Sequence, residues 1–461
     1  MGAGPNGLAA AVTLAQAGRS VRVIEAQETI GGGTRTAELT LPGYRHDICS
    51  AIHPLLAASS FFRSLELDLE LVEPPAALAH PFEDGSALLV RRSVDETAAI
   101  LGVDREIYRD LFAPLASGWR DLEGELLGPL IHLPRHPLVF ARFGLRGLRS
   151  AQGFAQAHLA SERTRALFAG AAAHSLLPLE RTASASFGLI LLLLGHVTGW
   201  PFPRGGSQAI ADALAGRLRS LGGEIETEHE VTSLRELPQS KLVLCDVSPR
   251  QLIRIGQDLL PSRYRRRLER WRHGPGVFKL DYALDGPIPW RASEVAEAAT
   301  VHPGGSMAEI VESERAPWQG RHAERPFVLL AQQSLFDDTR APAGKHTAWA
   351  YCHVPNGSAV DMRDRVESQI ERYAPGFKKR ILACSAQTTR DLERKNANLV
   401  GGDISGGANT LGQLVARPTL RPIPYSTPLR WLYLCSASTP PGGGVHGLCG
   451  HLAAIAAIKR A

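Results

Sequence analysis

A chain of 461 residues is too long for one ordinary domain and predicts two, interleaved in sequence. A net charge of +5 is only mildly basic and gives no footing for a nucleic-acid partner. The six cysteines, Cys49, Cys245, Cys352, Cys384, Cys435 and Cys449, form no Cys-x-x-Cys pair. That argues against zinc ribbons and thioredoxin-type redox sites, predicts no metal site, and suits the reduced thiols of a cytoplasmic protein.

The first element is a turn, Gly2-Ala3-Gly4-Pro5-Asn6-Gly7, with the spacing G-x-G-x-x-G. In such a turn the first glycine allows the bend, the second lets backbone approach a pyrophosphate, and the third lets helix pack on strand. A helix over Leu8 to Ala17 follows, ended by Gly18, and its N-terminus suits phosphate. Val21 to Ile24 then alternates as a strand. Glu25 stands at its end, 18 positions after Gly7, where an acid hydrogen-bonds a ribose hydroxyl. A carboxylate there repels a 2′-phosphate, which argues against NADP. No secretory leader is expected ahead of the turn. Met1 stands where a preceding hydrophobic strand would end, so the expectation is a truncated first strand. Its loss from the middle of a parallel sheet would loosen the nucleotide site.

Residues 1 to about 70 read as α/β, and those from about 90 to 200 as helical. The stretch from Arg135 sets Arg142, Arg146 and Arg149 among apolar residues. It reads either as a basic amphipathic helix on a membrane surface or as a solvated face with a buried stripe. "SFGLILLLLGHVTGW", Ser186 to Trp200, is unbroken only from Phe187 to Leu194, far short of the ~20 residues of a span. It predicts a buried helix or the wall of an apolar pocket. A helix over Ala209 to Leu221 and an apolar strand within Lys241 to Pro249 return to α/β logic. Tyr264 to His273 is a charged, solvated helix. Val277 to Leu284, with runs at 325–337 and 346–358, predicts an antiparallel sheet. A strand at Leu432 to Cys435, a glycine-rich turn and a helix over Leu448 to Lys459 close the chain.

With the opening turn, the segments "IGGGTRTAEL", "FPRGGSQAIADAL" and "LYLCSASTPPGGGVHG" form a set. The set resembles the phytoene desaturase-like flavoproteins, within the amine oxidase and glutathione-reductase-like FAD superfamily. It is nearest to bacterial and mitochondrial relatives that are not established carotenoid enzymes. The resemblance implies FAD, held by a Rossmann-like domain of 1–70, 201–260 and 396–461. A substrate domain of 71–200 and 261–395 would combine a helical cap with the antiparallel sheet. Gly2, Gly4 and Gly7, with Pro5 and Asn6 between them, would meet the pyrophosphate. Glu25, followed by Ala26, would hold the adenosine ribose. Gly31 and Gly32 match the family's glycine pair; Gly33 stands where an arginine is frequent, and Arg35 comes two later. The backbone of Val231 would meet adenine. The turn from Ser438 to Gly447, with Gly444, Val445 and His446, would pass beside the isoalloxazine ring. The helix N-terminus after it would favour the negative charge of reduced flavin.

For chemistry, His446 is a candidate base at the ring edge, or a residue that packs on the ring or caps the helix. Lys279 resembles the lysine that amine oxidases bond to flavin through water, or is an exposed strand lysine. His353 and Asp403 either line the cavity or stabilise turns. Cys435 or Cys449 could carry a covalent flavin, or be small buried hydrophobes. No second G-x-G-x-x-G follows a strand, so electrons would leave to oxygen or a quinone. The resemblance implies a dehydrogenase or desaturase acting on a small apolar, isoprenoid- or lipid-like substrate, with peripheral membrane contact. The rivals are an amine oxidase and a non-redox flavin-fold protein that binds a lipidated partner.

Overall fold

The computed structural model describes residues 1–460. Pro5 opens the first helix, Pro5–Gln16, at a position where a missing N–H costs nothing. Gly18, in the left-handed region at φ 72°, follows its end. The chain returns as Arg22–Ile24, paired in parallel with Glu224–Glu226. A second parallel pair joins Val243–Cys245 to Leu432–Leu434. Met1–Ala3 lies between the two pairs. Gly2 N–H donates to the Ile24 carbonyl at 2.8 Å, the Met1 amino group to the Leu244 carbonyl at 2.9 Å, and Asp246 N–H to the Met1 carbonyl at 2.9 Å.

The first helix is apolar on two faces. Leu8 and Val12 pack with Ile210 and Leu214 of the helix Gln208–Ser220. Ala10 and Leu14 pack with Ala453 and Ala457 of the closing helix, Leu448–Ile458. The first and last helices meet closely: a Cβ on Gly450 would lie 1.8 Å from the Asn6 carbonyl oxygen.

A seven-stranded sheet takes its strands in the order Ile381–Gln387, Gly276–Leu284, His346–Val354, Leu329–Ala331, Thr300–Val301, Ala76–Pro81 and Ala87–Arg91. Its pairs are antiparallel except the contact of Thr300–Val301 with Ala76–Pro81. Gly276–Leu284 is buried throughout, and its alternation sorts its side chains. Phe278, Leu280 and Tyr282 pack with Val366 and Phe377 on one face. Lys279 and Asp281 point to the other, toward the helices. The run 325–337 makes a shorter strand than its composition predicts, because a 3-10 turn begins at Gln333.

The helical layer includes Arg105–Ser117, Pro137–Gly147, Glu162–Ala173 and Ser184–Val197. The last is the apolar run of the sequence. Leu189, Leu192 and Leu193 fill the core, while Phe187, Ile190 and Leu191 face a cavity. Among the described residues no helix is long and apolar enough to cross a membrane.

Candidate functional site

A cavity of about 1080 Å³ begins at the glycine turn and reaches the helical layer. Gly2, Gly4, Pro5, Asn6, Glu25 and Ala26 line one end, with Gly32, Gly33, Arg35 and Val231. Ser438, Gly444, Val445 and His446 line it from the C-terminal turn, and Lys279 from the large sheet. Gly7 and Gly31 stand elsewhere, against the expectation that they meet the ligand. A Cβ on Gly7 would lie 2.0 Å from the Gly2 carbonyl oxygen, so Gly7 serves the packing of helix on turn. Gly31 is behind the wall, its N–H given to the Ala3 carbonyl at 2.8 Å.

Backbone fixes this end of the cavity. A Cβ on Gly32 would lie 3.0 Å from the Gly4 Cα, so the two glycine segments touch main chain to main chain. Glu25 accepts hydrogen bonds from Ala3 N–H at 2.6 Å and Gln27 N–H at 3.0 Å. Its carboxylate is thus held at the strand end with lone pairs left for hydroxyls. Gly33 has open space beside it, and Arg35 is tied into the wall by backbone. Its guanidinium donates to the carbonyls of Gly32 at 3.1 Å and Lys395 at 2.5 Å. Asn6 Oδ1 is buried in the wall without a hydrogen-bond partner.

His446 has both ring nitrogens engaged. Nδ1 accepts the Leu448 N–H at 3.0 Å, so the proton sits on Nε2, which faces the Gly442 carbonyl at 3.2 Å. Burial lowers its pKa to about 4. The neutral ring caps the closing helix and has no lone pair free for a substrate proton. The base expected there is corrected to a cap.

Lys279 is buried, not an exposed strand lysine. Its Nζ bonds Asp281 and lies 5.7 Å from the centre of the Trp349 ring. Asp281 also accepts from Gln387 Nε2 at 3.2 Å and faces His46 at 3.8 Å.

The remaining candidates lie outside the wall. His353 bonds Glu314 at 2.6 Å. Asp403 accepts from the N–H groups of Gly274 and Ser405, the work of a turn residue. Cys435 and Cys449 are free and buried, and Cys449 gives its thiol hydrogen to backbone carbonyls. None of the four lines the cavity.

Three wall groups escaped the sequence reading. Asp246 follows the strand Val243–Cys245 and accepts the Gly7 N–H at 3.0 Å, which caps the first helix. Burial raises its pKa to about 6, opposed by that hydrogen bond and the Met1 amino group and aided by Glu25. An acid at the end of a parallel strand, "LCDVSP", was the available signal. Trp349 and Tyr351 share one face of their strand and stand edge to face, 4.9 Å apart at 85°. His174 lies toward the apolar end, 3.0 Å from His302, and burial lowers its pKa to about 3.

A family of NAD(P)-binding Rossmann-like domains matches residues 1–65. The chain is 27% identical to the rat pyridine nucleotide-disulfide oxidoreductase domain-containing protein 2, over 98% of this chain and 92% of that protein. It is 26% identical to a neurosporene-forming phytoene desaturase of Rhodobacter capsulatus, over 98% and 91%. Among solved structures, an oxidoreductase from Methanosarcina mazei aligns with a TM-score of 0.66 at 15% identity, covering 99% of this chain and 98% of that one. A putrescine oxidase aligns at 0.61 and 16%, covering 99% and 97%.

The glycine turn, the helix it opens and the parallel strand pairs beside it form a Rossmann-like nucleotide-binding unit. Over nearly its whole length the chain is similar in sequence to the pyridine nucleotide-disulfide oxidoreductase domain-containing protein and the phytoene desaturase, and in fold to the oxidoreductases. The residues present fit FAD: a backbone cradle at Gly2, Gly4 and Gly32, a fixed carboxylate at Glu25, and an unpartnered Asn6 Oδ1.

Proposed function

We propose that this chain is an FAD-dependent dehydrogenase of the desaturase type, acting on an apolar, isoprenoid- or lipid-like molecule. One observation carries the reading. The cavity that begins at the glycine turn ends among the apolar side chains of Phe143, Leu148, Phe187, Ile190 and Leu191, with His174 beside them. Bound FAD supplies hydride acceptance; the protein supplies position and electrostatics.

Glu25 and the glycine segments hold the nucleotide end. His446 keeps the closing helix capped beside the C-terminal turn. Lys279, fixed by Asp281, sets a cation in the wall between the two ends. Tyr351 and Trp349 line the same wall. Their edge-to-face rings do not form two facing plates for an amine.

The test is an anaerobic titration of the FAD-loaded protein. A conjugated polyene or isoprenoid is expected to bleach the flavin absorbance, and primary or secondary amines to leave it unchanged. Bleaching by amines alone would replace this reading with amine oxidation. Failure to take up FAD would favour a non-redox protein that binds a lipidated partner.

A further inference from the structure

The segment from Pro129 to Arg149 leaves large apolar side chains in solvent. Leu133 is 91% exposed, Leu138 85% and Leu145 77%; Ile131 and Leu148 are also exposed. Single exposed apolar side chains are ordinary, but five within one short segment are not. On the helix Pro137–Gly147, Leu138, Arg142 and Leu145 recur at the spacing of one face, and Leu148 and Arg149 continue it. Phe143 and Gly147 point inward.

The segment is anchored rather than loose. The carboxylate of the buried Glu125 accepts the backbone N–H groups of Arg135 at 2.8 Å and His136 at 3.0 Å, and bonds the His132 ring. This fixes the loop that presents Ile131 and Leu133.

The charge is one-sided. No acidic residue occurs from Leu126 to Ser161, while Arg135, Arg142, Arg146 and Arg149 do. The nearest acids are engaged: Glu125 with His132, Asp121 with His136 at 3.8 Å, and Glu123 with Arg63. A second copy placed on this face by a two-fold axis would bring arginine to arginine. An anionic surface would meet opposite charge.

The cavity also reaches solvent on this face. Leu145 and Leu148 are exposed and line the cavity at once, and Leu130, Phe140 and Ala141 of the segment join them in its wall.

We propose that Pro129 to Arg149 docks this protein on an anionic lipid bilayer. Leu133, Leu138 and Leu145 enter the interface, the arginines sit among the head groups, and the cavity mouth faces the lipid. The docking surface stands on exposure and charge; the further step, that apolar substrate enters from the bilayer, rests on the proposed function. Two kinds of attraction act together, apolar insertion and cations near an anionic surface, as stable peripheral attachment requires.

The experiment is co-sedimentation of the full FAD-loaded chain with vesicles. One set is equimolar phosphatidylglycerol and phosphatidylcholine; the other is phosphatidylcholine alone. Binding is expected to the anionic set, weakening as salt is raised. Arg142→Glu with Arg146→Glu should weaken it on the order of 100-fold. Leu133→Asp with Leu138→Asp should weaken it about 10-fold or more. None of these four residues lines the cavity, so FAD content and thermal melting are expected to stay as in the parent.

Failure of the parent to sediment with anionic vesicles would overturn the proposal, as would both double variants binding like the parent. A parent that dimerises in the ultracentrifuge, with the leucine variant monomeric, would assign the face to a second copy and overturn it too. Vesicle binding without bleaching by any polyene would keep the docking surface and remove the substrate class. Bleaching without vesicle binding would do the reverse.

Discussion

The two ends of the cavity are built in different ways. At the glycine turn the wall is main chain: Gly2, Gly4 and Gly32 approach without Cβ atoms, and Glu25 is pinned by two backbone N–H groups. At the helical end it is side chains, Phe187, Ile190 and Leu191 beside Phe143 and Leu148. Backbone against backbone has no room to relax, whereas apolar side chains repack around small changes. Substitutions at the first end should therefore abolish binding or folding, and those at the second should tune it.

The largest expected effect tests the first half of that contrast. Gly450→Val would place a side chain 1.8 Å from the Asn6 carbonyl oxygen. Valine there should leave little folded protein in a thermal melt, and a normal melt would mean that the first and last helices are not locked by this contact. Next, Glu25→Ala should weaken FAD binding by about 10- to 100-fold, since hydrogen bonds to a charged group contribute roughly 1.5–3 kcal/mol. Equilibrium dialysis of FAD against the purified variant measures this. An unchanged affinity would remove Glu25 from the ribose site.

Asp246 yields a prediction with a sign. Its folded-state pKa is about 6, above the usual 3.8. Between these values the folded chain holds a proton that the unfolded chain has lost. The buried carboxylate thus costs stability above pH 6, and the cost vanishes below pH 3.8. Asp246→Asn keeps an acceptor for the Gly7 N–H and should stabilise the fold at neutral pH by roughly 2–3 kcal/mol, given about 1.4 kcal/mol per pKa unit. The gain should shrink toward pH 4, as followed by denaturant melts. A gain that stays constant with pH would show that desolvation is not its cause.

The smallest effect concerns His446. His446→Ala should cost about 1 kcal/mol through the lost helix cap. His446→Asn should recover most of that, with kcat unchanged in both once FAD is loaded. A kcat loss of about 100-fold in the asparagine variant, with normal stability, would restore the histidine to general-base work.

The nucleotide end was largely legible because its signals are local. Turn, helix, strand and acid follow one another within the first 25 residues. What misled was the role of single positions. The resemblance also gives Gly7 a pyrophosphate contact, yet its missing Cβ serves only the packing that the spacing assigns to it, against the Gly2 carbonyl. His446 sits in the right turn, but only the hydrogen bonds of Gly442 and Leu448 show that both nitrogens are occupied. Asp246 was missed because 239 positions separate it from Gly7, and the two meet only in the folded chain.

The apolar run from Phe187 predicts a buried helix or a pocket wall, and it forms both. Which residues oppose it was not legible. Trp349 and Tyr351 lie two apart on a strand, and the sequence does not say which face turns to the cavity. Lys279 and Asp281 pose the same problem. Strand alternation pairs them, but only the register of Gly276–Leu284 between its neighbours puts both on the cavity side.

The central claim is that the glycine-lined end of the cavity holds FAD. The most direct measurement is an absorption spectrum of the purified protein, taken after incubation with FAD and removal of the excess, then repeated after denaturation. The expected result is a bound flavin spectrum, with FAD released free on unfolding because neither Cys435 nor Cys449 lines the cavity. A folded protein that retains no flavin absorbance would contradict the claim.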